Sequence, residues 1–177
     1  LDGKIEQNTR ELENIAMYDS LTGLSNRNML NHQLEKLLAT MKREPNKLTV
    51  MFLDFDKFRK VNDTHGHDIG DSFLINAARR IRGCLRDSDM LFRFGGDEFV
   101  VVFLEKSMSD DAPILATKLI DSFREPIAVD ELLFYTSTSI GIASTDDASM
   151  MIDDLVRQSD MAMYASKDAG GGKCSVF

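Results

Sequence analysis

Hydrophobic and polar positions along the chain alternate between helical and strand periods. From Leu1 to Ala16 the sequence is helix-prone, and Leu1, Ile5, Asn8, Leu12 and Ile15 recur at steps of four and three. That spacing is a heptad seam with one polar position, and it suits a coiled coil and a helix packed on its own domain equally. Asp19–Arg27 reads as a loop broken by Gly23 and Ser25. An amphipathic helix from Asn28 to Arg43 follows, with Leu30, Leu34, Leu37, Leu38 and Met41 on one face, an N-cap at Ser25 or Asn26, and Pro45 beyond its end. Leu48–Asp56 reads as a buried strand that ends in acid. From Asp71 to Arg86 the apolar positions Phe73, Leu74, Ala77, Ala78, Ile81 and Leu85 repeat helically, leaving Arg79, Arg80, Arg82 and Arg86 as a solvated basic side.

Met90 to Leu104 reads as two β-prone runs joined through Gly95-Gly96, a β-hairpin. A helix is predicted over Asp110–Arg124, with Ile114, Leu115, Leu119, Ile120 and Phe123 inward and Pro126 as its stop. Leu132–Ala143 carries strand alternation, and Met150–Lys167 predicts a last helix presenting Leu155, Val156, Met161, Met163 and Tyr164.

Composition narrows the class. At 177 residues, 43% hydrophobic and 28% charged, the chain suits one soluble domain with a substantial core. The two cysteines, Cys84 and Cys174, lack metal-type spacing and read as reduced thiols, which fits a cytoplasmic location. No apolar run is long enough for a membrane span and no signal-peptide pattern opens the sequence, so direct membrane contact is not expected. A net charge of −8 argues against a nucleic-acid backbone binder. Such an acidic protein would handle phosphate through metal ions or a few well-placed cations. The start inside a helical pattern suggests a piece of a longer protein.

Candidate chemistry lies in two places. Asp54 and Asp56 are two residues apart, so in a strand both face one side. Two carboxylates repel unless a proton or cation lies between them, and hard oxygens at a strand end suit Mg²⁺. At the hairpin tip, Gly95 and Gly96 permit positive φ and close ligand approach, and Asp97 and Glu98 set carboxylates beside bare backbone. Taken singly, each also fits an ordinary solvated turn or strand end. His65 and His67 lack a third ligand and make a poor metal site.

Together these stretches resemble one family. Gly95-Gly96-Asp97-Glu98-Phe99 is the signature of GGDEF domains, the diguanylate cyclases. Asp19–Arg27 resembles the family's D-x-L-T-G-L-x-N-R, and Asp54–Asp71 its D-x-D-x-F-K-x-[IV]-N-D-x-x-G-H-x-x-G-D. Ser139–Ala143 resembles S-x-G-x-A, where serine and glycine read as packing residues, and Ser159–Lys167 resembles A-D-x-A-M-Y-x-A-K. Arg86-x-x-Asp89 stands five residues before the glycine pair, as the family's inhibitory motif does. The likeness runs from about Asp19 to Lys173.

The resemblance implies an α+β, palm-like, nucleotidyl-cyclase-like domain: a central, mostly antiparallel five-stranded sheet flanked by helices. It divides the chain into a signalling helix over 1–17 and the GGDEF domain over 18–177. It implies condensation of two GTP into cyclic di-GMP by a homodimer with Mg²⁺ (or Mn²⁺), and no nucleic-acid partner. By the same resemblance Asp54, Asp97 and the Phe55 carbonyl ligate metal, and Glu98 is a further ligand or orients the nucleophile. Lys57, Phe58, Arg59 and Lys167 would serve the phosphates, with Arg59 also supplying transition-state charge. Asn62 and Asp71 would read guanine, whose N1–H and N2–H₂ a carboxylate can accept. Gly95 and Gly96 would leave room for nucleotide, and Arg86 and Asp89 would bind inhibitory product.

Two departures stand out: Arg59 replaces the usual lysine, and Gly171 stands where Arg or Lys is usual, with Lys173 two residues late. They leave open a weak or inactive module that binds GTP or cyclic di-GMP and regulates its neighbours. Those neighbours would be an upstream sensory domain and, from the Glu125-Pro126-Ile127 run, a following phosphodiesterase (EAL) domain. A cyclase for another nucleotide is disfavoured by Asn62 and Asp71.

Overall fold

A computed structural model describes all 177 residues. In chain order the elements are α1 (Asp2–Met17), α2 (Arg27–Met41), β1 (Asn46–Phe55), α3 (Phe58–His65), α4 (His67–Cys84), β2 (Met90–Gly95) and β3 (Glu98–Lys106). They continue with α5 (Asp111–Ser122), β4 (Ile127–Val129), β5 (Leu132–Phe134), β6 (Thr138–Thr145), α6 (Ile152–Asp168) and β7 (Cys174–Val176). The main sheet has the order β2-β3-β1-β6-β7; all its pairings are antiparallel except β6 with β7. β4 and β5 form a separate hairpin.

β1 is apolar without alternation because both its faces are covered. Leu48, Val50 and Phe52 pack with Leu30, Leu34 and Leu38 of α2 and with Leu155 and Met163 of α6. Met51, Leu53 and Phe55 pack on the other face with Phe73, Ala77 and Ile81 of α4 and Ala116 and Leu119 of α5. Burying each such aliphatic or aromatic side chain contributes about 1.5–3 kcal/mol. The register matters for chemistry: Asp54 stands opposite Glu98 of β3 and opposite Ser139 of β6. The end of β1, the hairpin tip and the last turn of α6 therefore share one edge of the sheet.

Asn26 caps α2, its side chain accepting from the amides of Asn28 and Met29, so the capping expectation holds. Other expectations change. The polar stretch Phe58–His65 is a helix, and the following helix starts at His67, four residues before Asp71. The strand expected over Leu132–Ala143 is two strands, β5 and β6. Ile114, Met161 and Tyr164 face solvent, because Ala112, Ala116 and Ala162 take the inward positions beside them. The arginines of α4 are not all a solvated side. Arg80 donates to the carbonyls of Ser122, Glu125 and Pro126 and lies over Phe123, while Arg82 donates to Asp89 O and Arg86 O. They serve the exposed carbonyls where α5 and α4 end. α1 buries no residue, and Leu1, Ile5, Leu12 and Ile15 are all exposed, so the heptad seam has no partner within this chain.

Candidate active site

Asp54 is the centre of the sheet-edge cluster. Burial, then the hydrogen-bonding Asp97 carboxyl and its charge, push the Asp54 carboxyl up to about 8, against the pull of Lys167. Its side chain is only 15% exposed, and Lys167 Nζ lies 3.3 Å from Oδ1. The pair is not aligned for a hydrogen bond, and Oδ1 accepts none. Glu98 is also raised, by burial and then by Asp160 and Asp97, with Arg27 and Lys167 opposing. Asp97 and Lys167 thus act on both groups, and the Lys167 ammonium also lies 3.5 Å from the Phe55 carbonyl.

The hairpin tip is held from outside. Gly96 has φ +42, and the register shifts between Arg93 and Gly95. Arg93 donates through Nε and Nη2 to Gly96 O, at 3.0 and 2.8 Å, and through Nη1 to both Asp19 oxygens, at 3.0 and 3.1 Å. Asp19 also accepts from the Thr22 amide and hydroxyl. Burial raises the Asp19 carboxyl, but Thr22 and Arg93 outweigh it and hold the group below its usual value. The Asp19–Arg27 loop is therefore a brace for the glycine turn. Both ends of the Arg93–Asp19 pair are largely shielded, with 15% and 19% of the side chains exposed. Arg93→Ala is accordingly expected to cost about 2–3 kcal/mol, lowering the thermal midpoint by roughly 5–10 °C. A midpoint within 2 °C of wild type by calorimetry would refute the brace.

A pH dependence follows from Asp54. Between its ordinary 3.8 and about 8, the folded state keeps a proton that the unfolded chain has released. Stability therefore falls as pH rises through that window. Asp160, raised by burial, and Glu98 act in the same sense. Asp19 acts oppositely, adding stability above its unfolded value and losing it only at acid pH. With chelator present, the melting temperature is expected to decline from pH 5 to pH 8; a flat or rising profile contradicts the assignment.

The other residues singled out in the sequence divide into those near this edge and those away from it. Lys57 enters α3 with φ +63, and Phe58 anchors the turn by packing its ring on Phe73 at 5.5 Å. The first turn of α3 has no side-chain cap. Asn62 lies against α4 at Gly70, where an added Cβ would come within 1.8 Å of Asn62 Oδ1, and exposed Asp71 follows directly. Arg59 is not brought to the carboxylates: its side chain is 94% exposed and pairs with Asp63 at 3.7 Å. A cleft of about 810 Å³ opens beside Lys57 and Gly172, between α3, the end of α5 and the β4–β5 hairpin.

Arg86 and Asp89 lie at the other end of β2, about 20 Å from the glycine turn by strand length. Buried Asp89 accepts the Arg86 amide at 2.8 Å, and the Arg86 guanidinium reaches Asp111 at 3.4 Å. They line a cleft of about 200 Å³ with Cys84, Leu115 and Lys118. Lys118 had no signal in the sequence; only the packing of α5 against α4 brings it there.

Comparison with known proteins settles the family. The diguanylate cyclase, GGDEF domain family matches residues 16–173. The chain belongs to the GGDEF family. This GGDEF domain is 37% identical to the diguanylate cyclase TpbB of Pseudomonas aeruginosa, over 96% of the chain and 39% of TpbB. It is 39% identical to the bifunctional diguanylate cyclase/cyclic di-GMP phosphodiesterase MucR of the same organism, over 93% of the chain and 24% of MucR. The chain thus spans well under half the length of these curated relatives. The crystal structure of the TpbB GGDEF domain superposes with a TM-score of 0.81 at 37% identity, covering 88% of this chain and 97% of that one. The GGDEF domain of DgcB from Caulobacter crescentus, in complex with c-di-GMP, gives 0.79 at 25% identity, covering 91% and 95%. The GGDEF domain therefore has the palm-like cyclase fold, and the expected α+β architecture holds.

Proposed function

We propose that this GGDEF domain condenses two GTP molecules into cyclic di-GMP, releasing two pyrophosphates. The observation that carries the proposal is the meeting of Asp54 and Asp97 at a glycine-opened sheet edge, with the Asp54 carboxyl raised to about 8 and its buried Oδ1 without a hydrogen bond. Such a pair suits a divalent cation. Mg²⁺ (or Mn²⁺) needs few protein ligands, because it keeps waters and substrate phosphates. Asp54, Asp97 and the Phe55 carbonyl would hold it, with Glu98 as a further ligand or as the group orienting the nucleophile. When bound, the cation supplies charge neutralisation at the phosphoryl oxygens.

The chain's own residues do the positioning. Asn62 and Asp71 face guanine, and Gly95 and Gly96 keep side chains off the nucleotide. The uncapped amides at Phe58 and Arg59, with Lys57 and Lys167, take the β- and γ-phosphates. The 3′-hydroxyl of one GTP attacks the α-phosphorus of the other, breaking its bond to the leaving pyrophosphate oxygen. A second such step closes the ring. Each subunit presents one nucleotide, so a face-to-face homodimer is required. Residues 1–17 form the helix that sets that dimer from an upstream sensory domain, and 18–177 form the cyclase domain. The cleft of Arg86, Asp89 and Lys118 takes the product as feedback inhibitor. The DgcB complex with c-di-GMP supports the ligand class, and no helix here is long and apolar enough to cross a membrane. We place the domain in the cytoplasm, where GTP is available.

A second reading has its own support. Gly171 removes a usual cation, and Arg59 turns away toward Asp63, which suits a module that binds GTP or cyclic di-GMP and tunes a following phosphodiesterase domain. The bifunctional MucR supports that architecture. The deciding experiment incubates an enforced dimer, made by fusing a parallel coiled coil to residue 1, with GTP and Mg²⁺, and with ATP alongside. Cyclic di-GMP from GTP alone supports catalysis. Binding of GTP with no product from the enforced dimer overturns it in favour of the regulatory module.

A further inference from the structure

The Lys167 ammonium sits against two of the proposed cation ligands, Asp54 and the Phe55 carbonyl. Its Nζ is 3.3 Å from Asp54 Oδ1, 3.5 Å from Phe55 O and 3.7 Å from Asp56 Oδ1. The first contact is charge without an aligned hydrogen bond, so it is readily exchanged. Asp56 is fastened in a different way. Ser139 Oγ donates to its Oδ1 at 2.7 Å, and Ser137 Oγ and the Gly172 amide donate to its Oδ2 at 2.5 and 2.9 Å. Its own amide donates to Ser137 O at 2.9 Å, and Thr136 Oγ1 donates to its carbonyl at 3.0 Å. Gly171 closes over the group: a Cβ there would stand 2.8–3.0 Å from the carboxylate atoms, on backbone with φ +75. The three-glycine loop is therefore shaped to a fixed Asp56 carboxylate, and a basic side chain at 171 is incompatible with this packing.

We propose that Lys167 is an internal competitor of the divalent cation for Asp54, and that Asp56 is the positioning residue that receives its ammonium when the cation binds. This rests on the two-carboxylate cation site of the cyclase reading. The ammonium already lies between the two aspartates, so its transfer needs a side-chain rotation and no refolding. On Asp56 it remains beside the end of β1, within reach of the phosphates that Lys57 and the α3 amides face. Loading of cation alone is thereby opposed, and loading of cation with a triphosphate is favoured, because the phosphates give the displaced lysine a new partner.

The test is calorimetric titration of Mn²⁺ into the nucleotide-free chain, with no turnover required. Lys167→Met is expected to tighten Mn²⁺ binding about tenfold by removing the competing charge. Asp56→Asn is expected to weaken it about threefold, and to change it by less than about twofold once Lys167 is Met, since the effect runs through the lysine. An unchanged or weaker affinity in Lys167→Met overturns the proposal. So does a full-sized Asp56→Asn loss in the double variant, which would make Asp56 a ligand. Wild-type binding that survives Asp54→Asn, or no binding in wild type and Lys167→Met alike, overturns the cation site itself. Should Asp56→Asn fail to fold, the Lys167→Met arm decides alone.

Discussion

Asp97→Asn is expected to lower cyclic di-GMP formation by about a thousandfold and, in the same protein, to raise the melting temperature without metal. Both effects come from one cause. Asp97 stands on the hairpin tip beside Asp54, and after burial it is the largest contributor holding the Asp54 carboxyl up at about 8. Replacing its carboxylate by an amide of the same shape removes the like charge, so Asp54 ionises with less opposition. The gain is expected to be about 1 kcal/mol near pH 8, roughly 3 °C for a domain of this size. The same substitution deletes a proposed cation ligand, and phosphoryl transfer depends almost wholly on positioning and charge neutralisation. Calorimetry with chelator and an assay for cyclic di-GMP on an enforced dimer measure the two halves. Loss of activity with loss of stability would mean Asp97 is mainly structural. Retained activity would remove it from the cation site.

The sequence made the scaffold legible where burial is periodic and the site legible where motifs are contiguous. The run Leu48–Phe55, apolar but for Thr49 and Asp54, reads as a buried strand, and the structure buries it on both faces, with α2 and α6 against one side and α4 and α5 against the other. The carboxylates of β1 and the hairpin converge because Asp54 and Glu98 share a register position, a consequence of β1 pairing with β3 that no local spacing contains. Short polar elements were less legible. In α3, Phe58 is the sole buried residue, so no apolar stripe announces the helix. Arg80 and Arg82 looked like a solvated side because their partners are backbone carbonyls, and carbonyls carry no sequence signal. Asp56 likewise reads as half of a metal pair until the three-glycine loop and Ser137 are folded onto it.

The S-x-G-x-A strand makes the second large prediction, and it concerns folding alone. Gly141 lies in β6 opposite Phe52 of β1, with α6 pressed directly on it. An added Cβ would stand 2.0 Å from Ser159 O, 2.1 Å from Met163 N and 2.8 Å from Ala162 C, all backbone atoms of α6. Backbone cannot rotate aside as a side chain can, so the helix must lift from the sheet or tilt. Either movement opens the core between Phe52, Leu155 and Met163. Lifting α6 also drags Ser166, whose hydroxyl donates to Ile140 O at 2.9 Å, and Lys167 beside Asp54. The φ of Gly141 is ordinary, so alanine also restricts the unfolded chain and returns about 0.4–1 kcal/mol. Overpacking against rigid backbone outweighs that, and Gly141→Ala is expected to destabilise by about 3–5 kcal/mol, lowering the melting temperature by roughly 10–15 °C. At Gly95 nothing lies within 4 Å of the added methyl, so Gly95→Ala is the matched control and should melt within a few degrees of wild type. Equal melting of the two variants would show that α6 does not rest on β6 through Gly141.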